Sequence, residues 1–230
     1  MYGFGVERRY FTVDNARRID GMRLRLREWR DELSDVEHAV LMTSLLNAVI
    51  AVSNVAGTYG YFLREWKPSA TRPIRVEPYS APSLGDAHRV RAADAESAVV
   101  DVPDIVYADP PYTKRQYTAY YHVLNSIASD VEPLVSGKSG LPDWKPLASA
   151  WCYKRKAAGA LESLVASSTA QVFALSYSSE GHIDDATIRE ILGSSGRVTR
   201  HEFRHRRYRS SDLGSSASHV TERLYVVNRA

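Results

Sequence analysis

The stretch of sequence that decides the fold reads Asp104-Ile105-Val106-Tyr107-Ala108-Asp109-Pro110-Pro111-Tyr112. Its apolar run predicts a short strand over Ile105 to Asp109, and the two prolines that follow lack the backbone N–H that would continue a strand. The carboxylate and the tyrosine are therefore expected just beyond the carboxyl end of this strand. In open α/β sheets, ligand sites lie at that edge.

Strand and helix patterns alternate through the rest of the second half of the chain. The predicted helices lie near Tyr117 to Ala128, Lys156 to Ser167 and Asp185 to Leu192, and the predicted strands span Gln171 to Ser176, Val198 to His205 and His219 to Asn228. The last two strands predict a long C-terminal antiparallel hairpin. Alternation of this kind predicts an α/β fold with a mostly parallel sheet, to which the hairpin adds an antiparallel edge.

The first part of the chain is predicted to be helical. Residues 14–33 have the apolar spacing of an amphipathic helix, and Ser34-Asp35-Val36-Glu37 is a capping-box pattern that predicts the start of a second helix, ending near Gly57. Four prolines then predict an extended linker with a short strand at Ile74 to Glu77. We therefore divide the chain into residues 1–85, a helical region with a proline-rich linker, and residues 86–230.

The composition excludes several classes of protein. The chain has 230 residues, of which 44% are hydrophobic and 25% are charged, with a formal net charge of +3. This mild basicity permits a nucleic-acid partner without requiring one. The single cysteine, Cys152, excludes a disulfide framework, and the histidines lack zinc-binding spacing, so no metal is expected. The first ten residues lack a signal-peptide pattern, which predicts a cytoplasmic location.

The residues after the predicted strand suit the methylation of a planar amine. The exocyclic nitrogen of adenine is a poor nucleophile, so a catalyst must accept its N–H hydrogens and stabilise the positive charge that develops on methyl transfer. Asp109 and the carbonyl of Pro110 can accept these hydrogens, Pro110 and Pro111 stiffen the backbone, and Tyr112 can stack on the base. The alternative is a proline-stiffened turn in which Asp109 is an ordinary turn residue.

Three segments together resemble a known family. They are Asp104 to Tyr112 followed by Arg115-Gln116-Tyr117 and Tyr121-His122, the segment Arg9-Tyr10-Phe11-Thr12 through Asn15, Ile19 and Asp20, and Ser176-Tyr177-Ser178-Ser179-Glu180-Gly181. In this order, from about Tyr10 to Val227, the chain resembles the D12 class of adenine-specific DNA methyltransferases.

This resemblance implies a fold and an activity. The activity is transfer of a methyl group from S-adenosylmethionine to the N6 amine of an adenine flipped out of double-stranded DNA. The fold is a partial Rossmann-like S-adenosylmethionine-dependent methyltransferase core, residues 86–230, with a helical insertion and the C-terminal antiparallel hairpin. The target-recognition region is then expected within the helical residues 10–80.

The predicted site residues follow from the motif and the resemblance together. We assign catalysis to Asp109, Pro110, Pro111 and Tyr112, and binding of the methyl donor to Asp94 and Asp109. The residues assigned to DNA are Lys114, Arg115, Tyr117, Tyr177, Arg204, Arg206 and Arg207. Two alternatives stay open. Asp94 can be an ordinary surface aspartate, and the basic cluster on the hairpin can be a solvated edge strand protected by its charge.

The family's glycine-rich cofactor loop is expected upstream of Tyr10. Tyr2-Gly3-Phe4-Gly5 does not follow a strand, as such a loop must. We therefore expect activity to need an N-terminal segment, which a separate polypeptide can supply. Two other hypotheses are an inactive DNA-binding or assembly remnant, and a methyltransferase that acts on RNA or on a protein amide. Related enzymes that act on glutamine side chains carry asparagine at the position of Asp109, so the aspartate favours adenine.

Overall fold

The structure, a computed structural model, describes residues 8–80, 88, 90–100, 104–129, 131–206 and 219–229. The chain divides into two compact units. The helical unit contains Met1–Ala87 and Tyr117–Leu147, and the sheet unit contains His88–Gln116 and Ala148–Ala230. The first boundary lies close to the division expected after residue 85, but residues 117–147 return to the helical unit. The functions assigned to the two parts remain predictions.

The described residues form helices α1–α7 and strands β1–β6. In chain order they are α1 (Val13–Glu28), α2 (Asp35–Ala51), α3 (Ala95–Ala98), β1 (Ile105–Ala108), α4 (Tyr117–Tyr120), α5 (His122–Ala128), β2 (Val135–Ser136), β3 (Leu141–Pro142), α6 (Ala157–Ser167), β4 (Val172–Ser178), α7 (Asp185–Gly193), β5 (Arg197–Arg206) and β6 (His219–Asn228). Among these residues, no helix is long and apolar enough to cross a membrane.

The start of α2 confirms the capping-box prediction. The Ser34 hydroxyl accepts a hydrogen bond from the Glu37 N–H at 3.3 Å, and the Glu37 carboxylate accepts one from the Ser34 N–H at 2.9 Å. The preceding helix is shorter than predicted, because it ends at Glu28 and not at residue 33. Between them the chain turns, with the Leu33 N–H donating to the carbonyl of Trp29, so that Ser34 can leave helical geometry and cap α2.

The segment Ile74 to Glu77 is not a strand, and the side chain of a buried asparagine binds the backbone at and before its first residue. Asn15, on α1, is 2% exposed, and its side-chain NH₂ donates to the carbonyls of Ala70 at 3.3 Å and Arg72 at 2.8 Å. Its side-chain oxygen accepts the Ile74 N–H at 2.9 Å, and the Ser44 hydroxyl accepts the Tyr79 N–H at 2.8 Å. The strand prediction is wrong, because the side chain of Asn15 accepts the Ile74 N–H where a neighbouring strand would have done so.

The main sheet of the sheet unit has the strand order β1-β4-β6-β5. Strand β1 pairs parallel with β4, whereas β4 pairs antiparallel with β6, and β6 with β5. The predicted C-terminal hairpin is confirmed. The prediction of a mostly parallel sheet is wrong for the described strands, because β6 lies between β4 and β5 and runs antiparallel to both. The fold is thus a mixed α/β fold with a mixed sheet.

The two faces of this sheet differ in how well they are covered. Helices α6 and α7 pack on one face, where a buried core contains Phe173, Leu175 and Tyr225 of the sheet. On the opposite face, Ile105 and Tyr107 are 62% and 63% exposed, and Phe203 is 56% exposed. Alternate residues of β1 therefore meet a packed core and solvent. An α/β sheet with parallel strands usually has both faces covered.

The contacts of Asn15 give a testable consequence for stability. We expect Asn15→Ala to lower the free energy of unfolding by about 2–4 kcal/mol, because two carbonyls and one N–H lose their partner in a buried site. Urea denaturation followed by circular dichroism measures this change. The matched control is Asn125→Ala, at an exposed asparagine of α5, which should alter the free energy by less than about 0.5 kcal/mol. Equal effects of the two substitutions would contradict this account of the segment at residues 70–74.

Candidate active site

The candidate site lies in the loop that follows β1. Ala108 of β1 pairs with Leu175 of β4, and because these strands are parallel, their carboxyl ends lie at the same edge of the sheet. The loop 109–116 after β1 therefore meets the loop 179–184 after β4. Asp109 is exposed at this edge, whereas Pro110, Pro111 and Tyr112 are half-buried. Among the described residues, no side chain hydrogen-bonds to the carboxylate of Asp109, which is open to a ligand.

Tyr112 is held by the loop after β4. The His182 N–H donates to the Tyr112 carbonyl at 2.9 Å, and the ring of Tyr112 packs edge-to-face on Tyr177, with 6.1 Å between ring centroids. Tyr177 is 1% exposed, its hydroxyl accepts the Ile183 N–H at 3.3 Å, and its burial raises the pKa of the hydroxyl. Tyr177 can therefore influence a substrate through Tyr112, whose ring it supports.

The second half of the loop is held by a short 3-10 turn, Ala150–Cys152, and the residue before it. Gln116 is 5% exposed, and its side-chain oxygen accepts the Ser149 N–H at 2.9 Å while its NH₂ donates to the Ser149 carbonyl at 3.3 Å. The Cys152 thiol donates to the Arg115 carbonyl at 3.2 Å. The His182 ring bonds to the Cys152 carbonyl at 3.2 Å, so the same residues brace both ends of the loop.

Sequence reasoning missed these loop-fixing residues, Gln116, Cys152 and His182. Gln116 lies inside the quoted motif and His182 directly follows another, so both had a positional signal. Cys152 had none, because the sequence singles it out only as the single cysteine. Which carbonyl a buried thiol meets depends on how the chain folds.

The basic residues and the tyrosine Tyr117 that are predicted to contact DNA differ in their surroundings. Lys114 and Arg115 are exposed in the loop after β1, and Arg204 is exposed on β5. The side chain of Arg206 and the whole of Arg207 lie outside the described residues. Tyr117 belongs to the helical unit, where it is 58% exposed and its ring packs against Tyr121.

Another arginine of the hairpin has a structural partner. Arg200 donates to the Asp185 carboxylate at 2.8 Å and lies 3.4 Å from the Glu202 carboxylate. Asp185 also accepts the Tyr225 hydroxyl at 2.7 Å. This network joins β5 and β6 to the first turn of α7, so Arg200 contributes to the packing of the sheet unit.

Asp94 has the weakest structural support among the predicted site residues. It precedes the four-residue helix α3, is exposed, and makes no side-chain hydrogen bond to cap that helix. Its carboxylate can therefore accept hydrogen bonds from a ligand. No cluster of three or more metal-ligand side chains occurs in the part of the chain that the structure describes.

Comparison with known proteins identifies the family. The family model for D12 class N6 adenine-specific DNA methyltransferases matches residues 6–191. The chain belongs to this family. The match contains the loop 109–116 and the loop after β4, and it stops before the C-terminal hairpin.

Curated relatives match almost the whole chain. The Type II methyltransferase M.NlaIII of Neisseria lactamica is 33% identical over 99% of this chain and 69% of its own length. The Type II methyltransferase M.FokI of Planomicrobium okeanokoites is 34% identical over 98% of the chain but only 36% of its own length. M.CviAII of Paramecium bursaria Chlorella virus 1, also a Type II methyltransferase, is 31% identical over 96% of the chain and 66% of its own length. No solved structure gives a significant match.

The packing of Tyr177 predicts a strict requirement for glycine at position 181. A Cβ at Gly181 would lie 2.2 Å from the ring of Tyr177, which is buried and cannot swing into solvent. We expect Gly181→Ala to displace that ring and to lower the free energy of unfolding by about 1–3 kcal/mol. Urea denaturation measures the loss, and near-ultraviolet circular dichroism reports the altered tyrosine packing.

Gly159 provides the matched control for this substitution. It lies within α6, and a Cβ there would meet nothing within 4 Å. Because alanine favours helix, Gly159→Ala should raise the free energy of unfolding by roughly 0.5–1 kcal/mol. A neutral Gly181→Ala variant with unchanged tyrosine circular dichroism would show that Tyr177 does not support the loop.

Proposed function

We propose that the chain is an adenine-specific DNA methyltransferase, which transfers a methyl group from S-adenosylmethionine to the N6 amine of an adenine flipped out of double-stranded DNA. One observation carries the proposal. In a chain of this family, the open carboxylate of Asp109 and the ring of Tyr112 lie together on a loop that is fixed at the carboxyl end of β1. A fixed loop can hold an acceptor where positive charge develops.

The proposed chemistry uses groups that the loop already presents. Asp109 accepts one N–H of the adenine amine, and the carbonyl of Pro110 accepts the other. Both interactions orient the nitrogen and stabilise it as it becomes positively charged. Proline rings at 110 and 111 remove two backbone N–H groups that would otherwise compete for the carboxylate. Tyr112 offers its ring to the flipped base, and Tyr177 holds that ring in place.

Two acidic groups and one aromatic group of the sheet unit also fit the methyl donor. S-Adenosylmethionine supplies an electrophilic methyl group on a positively charged sulfur. Asp94, whose carboxylate makes no capping bond, suits the adenine of the methyl donor, and Asp109 suits its positive charge. Tyr112 can contribute an aromatic face to the same cation.

The proposed contacts to DNA divide between phosphates and bases. Lys114, Arg115 and Arg204 are exposed cations that can bind phosphate oxygens, and Arg206 and Arg207 are assigned to the same role. Tyr117 is assigned to the substrate through its exposed ring. The helical residues 10–80 are proposed to contain the target-recognition region. We also propose a cytoplasmic location, where the DNA substrate is accessible.

The uncovered face of the sheet supports one further part of this proposal. Ile105 and Tyr107 place apolar groups in solvent beside the strand that carries the candidate site. We propose that a further segment, in the same or a separate polypeptide, covers this face, extends the sheet toward a Rossmann-like core and helps to bind the methyl donor. The alternative, an inactive DNA-binding remnant, predicts no methyl transfer with any such segment.

The role of Asp109 leads to a direct test. The assay contains labelled S-adenosylmethionine, DNA that lacks N6-methyladenine and the proposed further segment. Asp109→Ala should then lower kcat by about 10²–10³-fold, because the amine loses an acceptor that matters most in the transition state. Asp109→Asn keeps one oxygen acceptor and should retain more activity. DNA binding should change little in either variant.

The control for this test is Asp104→Asn, at an exposed carboxylate just before β1, which should leave kcat unchanged. RNA and glutamine-containing peptides serve as competing acceptors in the same assay. Methyl transfer that persists in Asp109→Ala, or that occurs only on RNA or peptide, would rule out the proposed reaction.

A further inference from the structure

One buried side chain closes a loop in the helical unit. Asn54 is fully buried, and its side-chain NH₂ donates to the Leu63 carbonyl at 3.1 Å while its side-chain oxygen accepts the Lys67 N–H at 3.0 Å. The Leu63 N–H returns a bond to the Asn54 carbonyl at 2.9 Å, and the Asn54 N–H donates to the Tyr10 carbonyl at 2.9 Å. These bonds fix both ends of the segment 54–67, which we name the Asn54 loop.

The middle of the Asn54 loop is also fixed. Tyr59 is 2% exposed, and its N–H donates to the Tyr120 carbonyl at 2.7 Å. Its own carbonyl accepts the Tyr10 hydroxyl at 2.7 Å and bonds to the His122 ring at 3.0 Å. The loop therefore has a defined backbone without belonging to a helix or strand.

This fixed backbone presents the aromatic ring of Tyr61 to solvent. Tyr61, two residues after buried Tyr59, is 76% exposed. The bond between Tyr59 and Tyr120 brings the loop beside the neighbouring helices, where Tyr117 and Tyr121 are 58% and 38% exposed with ring centroids 5.8 Å apart. We refer to these three exposed tyrosines of the helical unit, Tyr61, Tyr117 and Tyr121, together as the aromatic surface.

A basic group lies on the same loop as Tyr61. Arg64 is exposed on the Asn54 loop, and its carbonyl accepts a hydrogen bond from the Arg9 guanidinium at 2.7 Å. An exposed aromatic ring and an exposed guanidinium group on one fixed loop suit a partner that has flat faces and negative charge. Nucleotides have both, because bases stack on tyrosine while phosphates bind arginine.

We propose that the aromatic surface binds nucleobases of the DNA substrate, and that Tyr61 stacks on one of them. This inference rests on the proposed function and assigns base contacts to one loop of the helical unit. The closure of the loop by Asn54 means that little backbone entropy is lost when the rings bind. Contact with bases would remove the 76%-exposed ring of Tyr61 from water.

The test compares three variants of the full chain. Binding to a fluorescent single-stranded oligodeoxyadenosine and to a duplex is measured by anisotropy over a range of salt concentrations. Tyr61→Ala should weaken single-strand binding roughly tenfold, whereas Tyr61→Phe keeps the ring and should bind as the original chain does. Tyr79→Ala, at a 41%-exposed tyrosine outside the loop, is the matched control and should have no effect. The salt dependence should be the same in all variants, because no phosphate contact is removed.

Each other result overturns the inference in a recognisable way. Unchanged binding in Tyr61→Ala, or an equal loss in Tyr61→Phe, shows that the ring does not stack on bases and leaves a protein partner as the use of the surface. The methyl-transfer assay distinguishes failure of this inference from failure of the proposed function. If the original chain methylates DNA while Tyr61→Ala binds normally, the inference about the loop fails alone. If the original chain does not bind DNA, and methylates none even when the proposed further segment is supplied, both the inference and the proposed function fail.

Discussion

The parallel pairing of β1 with β4 is the constraint on which the candidate site depends. Parallel strands end at the same edge, so the loop after Ala108 must meet the loop after Ser178. An antiparallel pairing of the same two strands would send these loops to opposite edges, and Tyr112 would lose its support from Tyr177 and His182. The packing of α6 and α7 on one face of the sheet stabilises this pairing by burying Val106 and Phe173, which face each other in register.

The two prolines limit how the loop after β1 can be held in place. Pro110 and Pro111 have no backbone N–H, so neither residue can donate a backbone hydrogen bond that would hold the loop. Hydrogen-bond donors of other residues must hold it. The donors are the His182 N–H, the Cys152 thiol and the Ser149 N–H, which bond to the backbone or side chains of Tyr112, Arg115 and Gln116. None of these bonds uses the Asp109 carboxylate. The protein therefore fixes the backbone of the loop while keeping its acidic group open.

The features that could be predicted from sequence are those encoded by neighbouring residues. The capping box at Ser34, the strand at Ile105 and the C-terminal hairpin depend on short patterns, and the structure contains all three. The predictions that were wrong or incomplete involve residues that are distant in sequence but in contact in the structure. No local pattern specifies the contacts on which three features depend. These features are the pairing of β6 with β4, the hydrogen bond from the Ile74 N–H to Asn15, and the return of residues 117–147 to the helical unit. The loop-fixing residues were missed for the same reason.

What separates Asp109 from the other acidic residues is a combination of fixed backbone and open side chain. Asp184 caps α7 through Thr187, and these hydrogen bonds lower its pKa. Asp185 loses solvation on burial, but its bonds to Tyr225 and Arg200 outweigh that loss and lower its pKa as well. Their lone pairs are used by the fold, through hydrogen bonds at Asp184 and through hydrogen bonds and the charge of Arg200 at Asp185. Asp109 alone among these three carboxylates has its backbone held at the carboxyl end of a parallel strand and its oxygens available, which is the arrangement that a pre-organised acceptor requires.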